Sequence, residues 1–258
     1  MTKKRVVILG SGNVATCYAL ALRNNCDIVQ IYSRTLANAQ ALAGEVGCEA
    51  IDNLQDLSLD ADVYIVAVND DAITSVCNNV IDNGAIWVHT SGSTPINVIE
   101  HSRCRYGVMW PMQSLSKSHP ADMSKVHIFV EGSDIEVCHE LKELASLMTV
   151  NVHEVSSRER ILLHVASVFA CNFANHMFTL SSEVLDEAGI PFDAMLPLIK
   201  TTVEKLDHMT PQESQTGPAA RGDIKIIEKH LSSLNGDKRE IYKLLSRNLM
   251  QRREKIKN

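Results

Sequence analysis

Val6-Val7-Ile8-Leu9-Gly10-Ser11-Gly12-Asn13-Val14-Ala15 constrains this chain more than any other segment. Four apolar residues, three of them β-branched, read as a fully buried strand, and the glycines then turn the backbone straight into a helix. Gly10 permits the tight turn, Gly12 lets backbone approach a ligand, and Ala15 lets the helix pack on the strand. The helix N-terminus, with Ser11, Asn13 and Val14, offers free N–H groups to the anionic oxygens of a pyrophosphate. The pattern G-x-G-x-x-A carries weight because it follows a strand and opens a helix. A tight turn without a ligand is the alternative.

Short β-rich runs alternate with helical stretches through the first 155 residues, the pattern of βαβ units. Val6–Leu9, Ile28–Tyr32, Val63–Val68, Ile86–His89, Gly107–Met109 and Ile128–Val130 are the expected strands. Val14–Arg23 and Leu36–Val46 are expected helices, the second capped by Thr35. Thr94-Pro95 reads as a cap followed by proline, and Ser133 to Glu136 as a capping box opening a helix to about Met148. A second capping box, Ser156 to Glu159, begins a stretch with no glycine before Gly189 and no proline before Pro191. A long apolar helix is expected there, followed by helices near 192–208, 224–234 and 238–255. The fold class is therefore α/β: a Rossmann-type, mostly parallel sheet over residues 1–155, then an all-helical domain over 156–258.

Composition narrows the function classes. Lys+Arg 25 against Asp+Glu 31 gives a net charge of −6, a poor balance for gripping a nucleic-acid backbone, and 5% aromatics leave few stacking platforms. No stretch approaches the ~20 apolar residues that a membrane span requires, and Val6–Leu9 is too short for a signal-peptide core after Met1-Thr2-Lys3-Lys4-Arg5. The basic run from Arg247 to Lys257 reads as a solvated helix end. Seven cysteines without a C-x-x-C pair argue against a disulfide framework or a zinc site and suit a reducing cytoplasm. No metal is expected.

Candidate chemistry lies beyond the strand ends. The second strand closes on Ser33-Arg34-Thr35, with no carboxylate before Glu45. An acid there would bind ribose hydroxyls. Arg34, helped by the Ser33 and Thr35 hydroxyls, can instead pair with a 2′-phosphate, which favours NADP(H) over NAD(H); a plain surface arginine is the alternative. Asn69 and Asp70, then His89-Thr90-Ser91-Gly92-Ser93, occupy comparable ends. His89 could exchange a proton or simply hydrogen-bond at the strand end. On the long helix His164, Ser167, Cys171 and Asn175 share one stripe bordered by Asn172; His164 and Asn172 face a ligand or bond between helices. Cys171 reads as core packing. Arg221, in Thr216-Gly-Pro-Ala-Ala-Arg-Gly-Asp223, could hold an anionic group or pair with Asp223.

These segments together resemble the NADP oxidoreductases that join a Rossmann domain to a helical C-terminal domain of unknown function. The carriers are the glycine motif at 10–15, His89 to Ser93, Pro111-Met112-Gln113, His164 to Asn172, and Thr216 to Asp223. More distantly the layout is similar to β-hydroxyacid dehydrogenases, pyrroline-5-carboxylate reductase and deazaflavin-dependent NADP reductase. The hydroxyacid enzymes place substrate on a serine-rich turn, here Ser91-Gly92-Ser93, and use a lysine on the first long helix of the second domain. This helix has no lysine, and His164 is the nearest candidate. The resemblance implies an NADP cofactor, a homodimer, and hydride transfer to or from a carbonyl or imine carbon of a small polar metabolite. His164 or His89 would exchange the proton, Asn172 and Ser91 would orient the substrate, and Arg221 would neutralise it. A non-catalytic NADPH sensor is the alternative.

Overall fold

The structure is a computed structural model describing residues 3–257, the side chains of 254–257 excepted. Met1-Thr2 and the last side chains of the basic run lie outside the described residues. Eight strands form one sheet in the order β3-β2-β1-β4-β5-β6-β7-β8. They are β1 (Arg5–Leu9), β2 (Asp27–Tyr32), β3 (Glu49–Ile51), β4 (Val63–Val66), β5 (Ile86–His89), β6 (Tyr106–Pro111), β7 (Ile128–Gly132) and β8 (Val152–Glu154). All pairings are parallel except β6 with β7. The first six strands follow the Rossmann order, with the chain reversing direction across the sheet between β1 and β4.

Both faces of the sheet are covered. Val6 and Ile8 enter one core with Tyr18, Leu22 and Ile65, while Val7 and Leu9 enter the other with Tyr64, Val66 and Trp87. Period-two alternation thus buries every residue from Val6 to Leu9, which is why the strand reads as an unbroken apolar run. Helices α1 (Asn13–Leu22), α2 (Leu36–Val46), α3 (Ile73–Asn78) and α4 (Ile135–Ser146) accompany these strands. Thr35 is the N-cap of α2. Asp134 rather than Ser133 caps α4, its carboxylate accepting from the Glu136 and Val137 amides. Pro95 is not the first residue of a helix opened by Thr94. It is itself the cap of a single 3-10 turn over Ile96–Ile99.

Two compact units emerge, residues 1–170 and 171–258. The first includes α5 (Ser157–Ser167), which opens with the expected capping box between Ser156 and Glu159. This helix stays with the sheet because Leu163 packs against the Val108, Trp110 and Phe129 cluster and because Arg160 bonds into the loop after β5. A π-helical segment, Val168–Phe173, follows. Its i→i+5 bonding changes the helical phase, so His164, Ser167, Cys171 and Asn175 do not form the single α-helical stripe expected of them. Ser167 returns its hydroxyl to the Leu163 carbonyl at 2.9 Å, and Cys171 is exposed rather than packed in a core.

The second unit holds α6 (Ala174–Asp186), α7 (Leu196–Glu204), α8 (Pro218–Arg221), α9 (Ile224–Ser232) and α10 (Gly236–Lys257). Among its described apolar residues only Ala219 and Ile227 are buried. The helical stretch Ser157–Asp186 is long and apolar enough to cross a membrane by length and composition, contrary to the expectation that no stretch approaches such a span. Its centre has no Asp, Glu, Lys or Arg between Ile161 and Ser182, so an average over the window passes where a run broken by His, Asn and Ser does not.

Candidate active site

The cradle forms where β1 and β4 diverge. Gly10 takes φ +134° and donates its amide to the Tyr32 carbonyl at 2.8 Å; a Cβ there would lie 2.1 Å from the Ala67 carbonyl oxygen. Gly12 differs. Its φ of −82° and ψ of −169° suit any residue, and a Cβ on it would meet nothing within 4 Å. Neither strain nor crowding within the protein asks for glycine at position 12.

Gly12 caps α1 without a side chain of its own, and the first intrahelical bond runs from the Thr16 amide to the Gly12 carbonyl. The amides of Asn13, Val14 and Ala15 are therefore free of helical partners, and no acid occupies the first turn. Ala15 is fully buried against the strand. Around this turn a cavity of about 240 Å3 is lined by Gly10, Ser11, Gly12, Ser33, Arg34, Thr35, Asn38 and Asn69 among others. Ser11 donates its hydroxyl to Ser33 at 2.9 Å, fixing the rim, and the Asn13 side chain accepts from the Lys117 amide at 3.1 Å. Arg34 is exposed at that rim.

Asp70 points elsewhere. Its carboxylate accepts from the Ser91 and Ser93 hydroxyls, both at 2.7 Å. Partial burial would raise its pKa, but the hydroxyls of Ser91, Ser93 and Thr94 hold it below the ordinary carboxylate value. Ser91 also accepts from the Ser93 and Thr94 amides, so the serine turn is wired tightly.

His89 sits beneath that turn, fully buried, its Nδ1 accepting from the Ser91 amide at 3.2 Å. Burial first, and the Arg160 guanidinium second, push it down to about 4, with the Pro95 backbone and Asp70 opposing only in part. Burial favours the neutral ring near pH 7, and its Nδ1 holds the Ser91 amide of the turn. A histidine charged in the unfolded chain below about 6.5 but neutral when folded costs stability as the pH falls. We expect acidification from pH 6.5 to 4 to remove about 3 kcal/mol through this group, and His89→Asn to flatten that loss in urea titrations.

His164 is half-buried and comes to the same turn. Its ring stands edge-on to Trp110 at 5.8 Å between centroids, and a Cβ on Gly92 would lie 2.8 Å from His164 Cδ2 and 2.6 Å from Trp110 Cε2. The first unit thus gathers Ser91, Gly92, His89 and His164. Asn172, exposed in the π segment, and Arg221, exposed at the end of α8, belong to the second unit. Arg221 forms no ion pair with Asp223 among the described residues. Asp223 instead accepts from the Ile226 amide as the cap of α9.

Sequence reasoning missed Arg160, which has no exposed surface and donates to the carbonyls of Ser91, Gly92 and Thr94. Its signal was a charge one turn before His164, on the face of α5 that also carries Ser157.

Strand order, glycine turn and rim together define a Rossmann-fold dinucleotide-binding protein. Residues 4–90 match the oxidoreductase family model with an NAD-binding Rossmann fold, and residues 126–249 match the domain of unknown function DUF2520. A Bacteroides fragilis protein described as "putative NADP oxidoreductase BF3122" is 39% identical, covering 96% of this chain and 98% of its own, with a TM-score of 0.90. The chain belongs to that family of NADP oxidoreductases, a Rossmann domain followed by DUF2520. Protein TM1727 of Thermotoga maritima (22% identity, 98% of this chain and 100% of its own, TM-score 0.76) has the same fold. So does the Streptomyces aurantiacus imine reductase (14% identity, 95% and 94%, TM-score 0.70). No curated protein matches the sequence.

Proposed function

We propose that this NADP oxidoreductase moves a hydride between the nicotinamide of NADP(H) and a carbonyl or imine carbon of a small polar metabolite. The observation that carries the reading is the turn at Gly12: a Cβ there would meet nothing in the protein, so the approach to the Asn13, Val14 and Ala15 amides lies open to a ligand. The unpartnered amides of Asn13, Val14 and Ala15 receive the pyrophosphate oxygens, and Arg34 with Ser33 and Thr35 receives the 2′-phosphate. The cofactor supplies the hydride chemistry; the chain supplies binding, orientation and a proton. His164 exchanges that proton and Ser91 orients the reacting group. His89 keeps the serine turn in register.

The test is NADPH oxidation, followed by absorbance, across a panel of carbonyl and imine substrates. Turnover with at least one class is expected, whereas tight NADPH binding with none oxidised would make the protein a sensor. Arg34→Asp should invert cofactor preference, since it replaces a charge-assisted pair with repulsion. Each lost pair is worth ~1.5–3 kcal/mol, so the NADPH-to-NADH affinity ratio should fall about 10-fold to 100-fold in fluorescence titrations.

A homodimer is part of the same reading. Leu198, Val203 and Leu244 are 64%, 59% and 55% exposed, on helices whose unit has almost no interior. A second copy covers such faces, and lipid is the poorer occupant of the apolar stretch Ser157–Asp186, where His164, Asn172, Asn175 and His176 would sit in hydrocarbon at a steep cost. Sedimentation equilibrium should give twice 28.5 kDa. A monomer would contradict this. Seven free cysteines suit a reducing compartment, the cytoplasm.

A further inference from the structure

Arg160 is a fully buried charge, paired with Glu131 at 3.0 Å. Burying an ion pair is seldom a net gain over well-packed apolar side chains, so its retention asks for a reason in geometry. Its Nη1 donates to three carbonyls of the serine turn, Ser91 at 3.1 Å, Gly92 at 3.3 Å and Thr94 at 2.6 Å. Its Nη2 donates to Glu131 Oε2 at 3.0 Å and to Ser157 Oγ at 3.1 Å, while Nε has no partner. Ser157 extends the grip: its amide donates to Glu131 Oε1 at 2.8 Å, and its hydroxyl oxygen accepts from the Ile96 amide at 3.2 Å. The first turn of α5 therefore holds the serine turn from Ser91 to Ile96 against β7.

His164 lies four residues after Arg160, so the two side chains share one face of α5. One holds the carbonyls of the turn, and the other rests against Gly92 and Trp110. We propose that Arg160, braced by Glu131 and Ser157, is a positioning residue that sets His164 against Ser91 in the reacting geometry. The inference rests on the oxidoreductase reading and names how that site is assembled. Only a guanidinium fits the task. Its planar fork can donate to several carbonyls and a carboxylate together, whereas a lysine ammonium on a flexible stem cannot hold that arrangement.

The test uses Arg160→Lys, and Glu131→Gln as a variant that keeps every side-chain volume. NADPH affinity, turnover of whichever carbonyl or imine the wild type reduces, and amide hydrogen exchange over residues 91–96 are read on the same preparations. For Arg160→Lys, NADPH affinity should stay within about twofold while turnover falls by about 10²-fold, the scale of a 1 Å misplacement. The Ser93 and Thr94 amides should exchange about tenfold faster as the turn opens locally. Glu131→Gln should lose about tenfold in turnover with NADPH affinity kept. If Arg160→Lys does not fold, the Glu131→Gln result decides alone. Faster exchange with wild-type turnover would make Arg160 a structural staple and overturn the proposal, as would unchanged exchange. A wild type that oxidises no NADPH would overturn the oxidoreductase reading and this proposal with it, whereas an active wild type with fully active variants overturns the proposal alone.

Discussion

Gly12→Val should leave the protein folded and strip it of tight NADPH binding. The position has an ordinary extended backbone with φ −82°, and a Cβ there would touch nothing within 4 Å. The melting temperature of the cofactor-free variant should sit within about 5 °C of wild type, since replacing the glycine N-cap of α1 by valine costs only about 1 kcal/mol. Binding should respond differently. An isopropyl group at this point occupies the approach to the amides of Asn13, Val14 and Ala15. Losing two hydrogen bonds to a charged oxygen, at about 1.5–3 kcal/mol each, lowers affinity by roughly 10²-fold to 10⁴-fold. Calorimetry with NADPH beside a thermal melt measures both halves. An unchanged dissociation constant would mean that the turn carries no ligand.

Gly10→Ala should do the reverse and damage the fold itself. Its φ of +134° is one that L side chains rarely adopt, and the added methyl would stand 2.1 Å from the Ala67 carbonyl oxygen and 2.8 Å from its carbon. That carbonyl cannot swing aside cheaply. It follows β4, whose Val66 is in register with Leu9, and the Ala67 amide is bonded to the Leu9 carbonyl at 2.8 Å. Backbone strain of ~1–3 kcal/mol and overpacking of ~1–3 kcal/mol together remove a large part of the 5–15 kcal/mol that a domain holds. Urea denaturation without cofactor should show a midpoint far below wild type. The two glycines of one motif would then separate cleanly, one serving the chain and the other its ligand.

The opening segment was legible because everything it needs is local: an apolar strand, a turn and a small residue at the first helical contact. The same holds for β5, whose bounds 86–89 match the expectation, and for the Ser156 capping box. What escaped depends on partners far along the chain. The three-residue strands β3 and β8 are too short to show alternation and exist through their ladders with β2 and β7. Arg160 looked like one charge in a helix start, since its carbonyl partners lie 66 to 69 residues earlier. The depth of His89 was not legible, because burial depends on what packs over the strand end. The phase change at Val168–Phe173 has no composition signal either, and it rearranged the polar stripe read from helical spacing.

Titrating the cofactor-free wild-type protein with NADPH and with NADH tests the central claim most directly. The account predicts saturable binding of NADPH with a dissociation constant at least tenfold below that for NADH, the gap of about 1.4 kcal/mol that one exposed phosphate–guanidinium pair provides. Equal affinity for the two nucleotides, or heat of dilution alone at millimolar concentration, would contradict it.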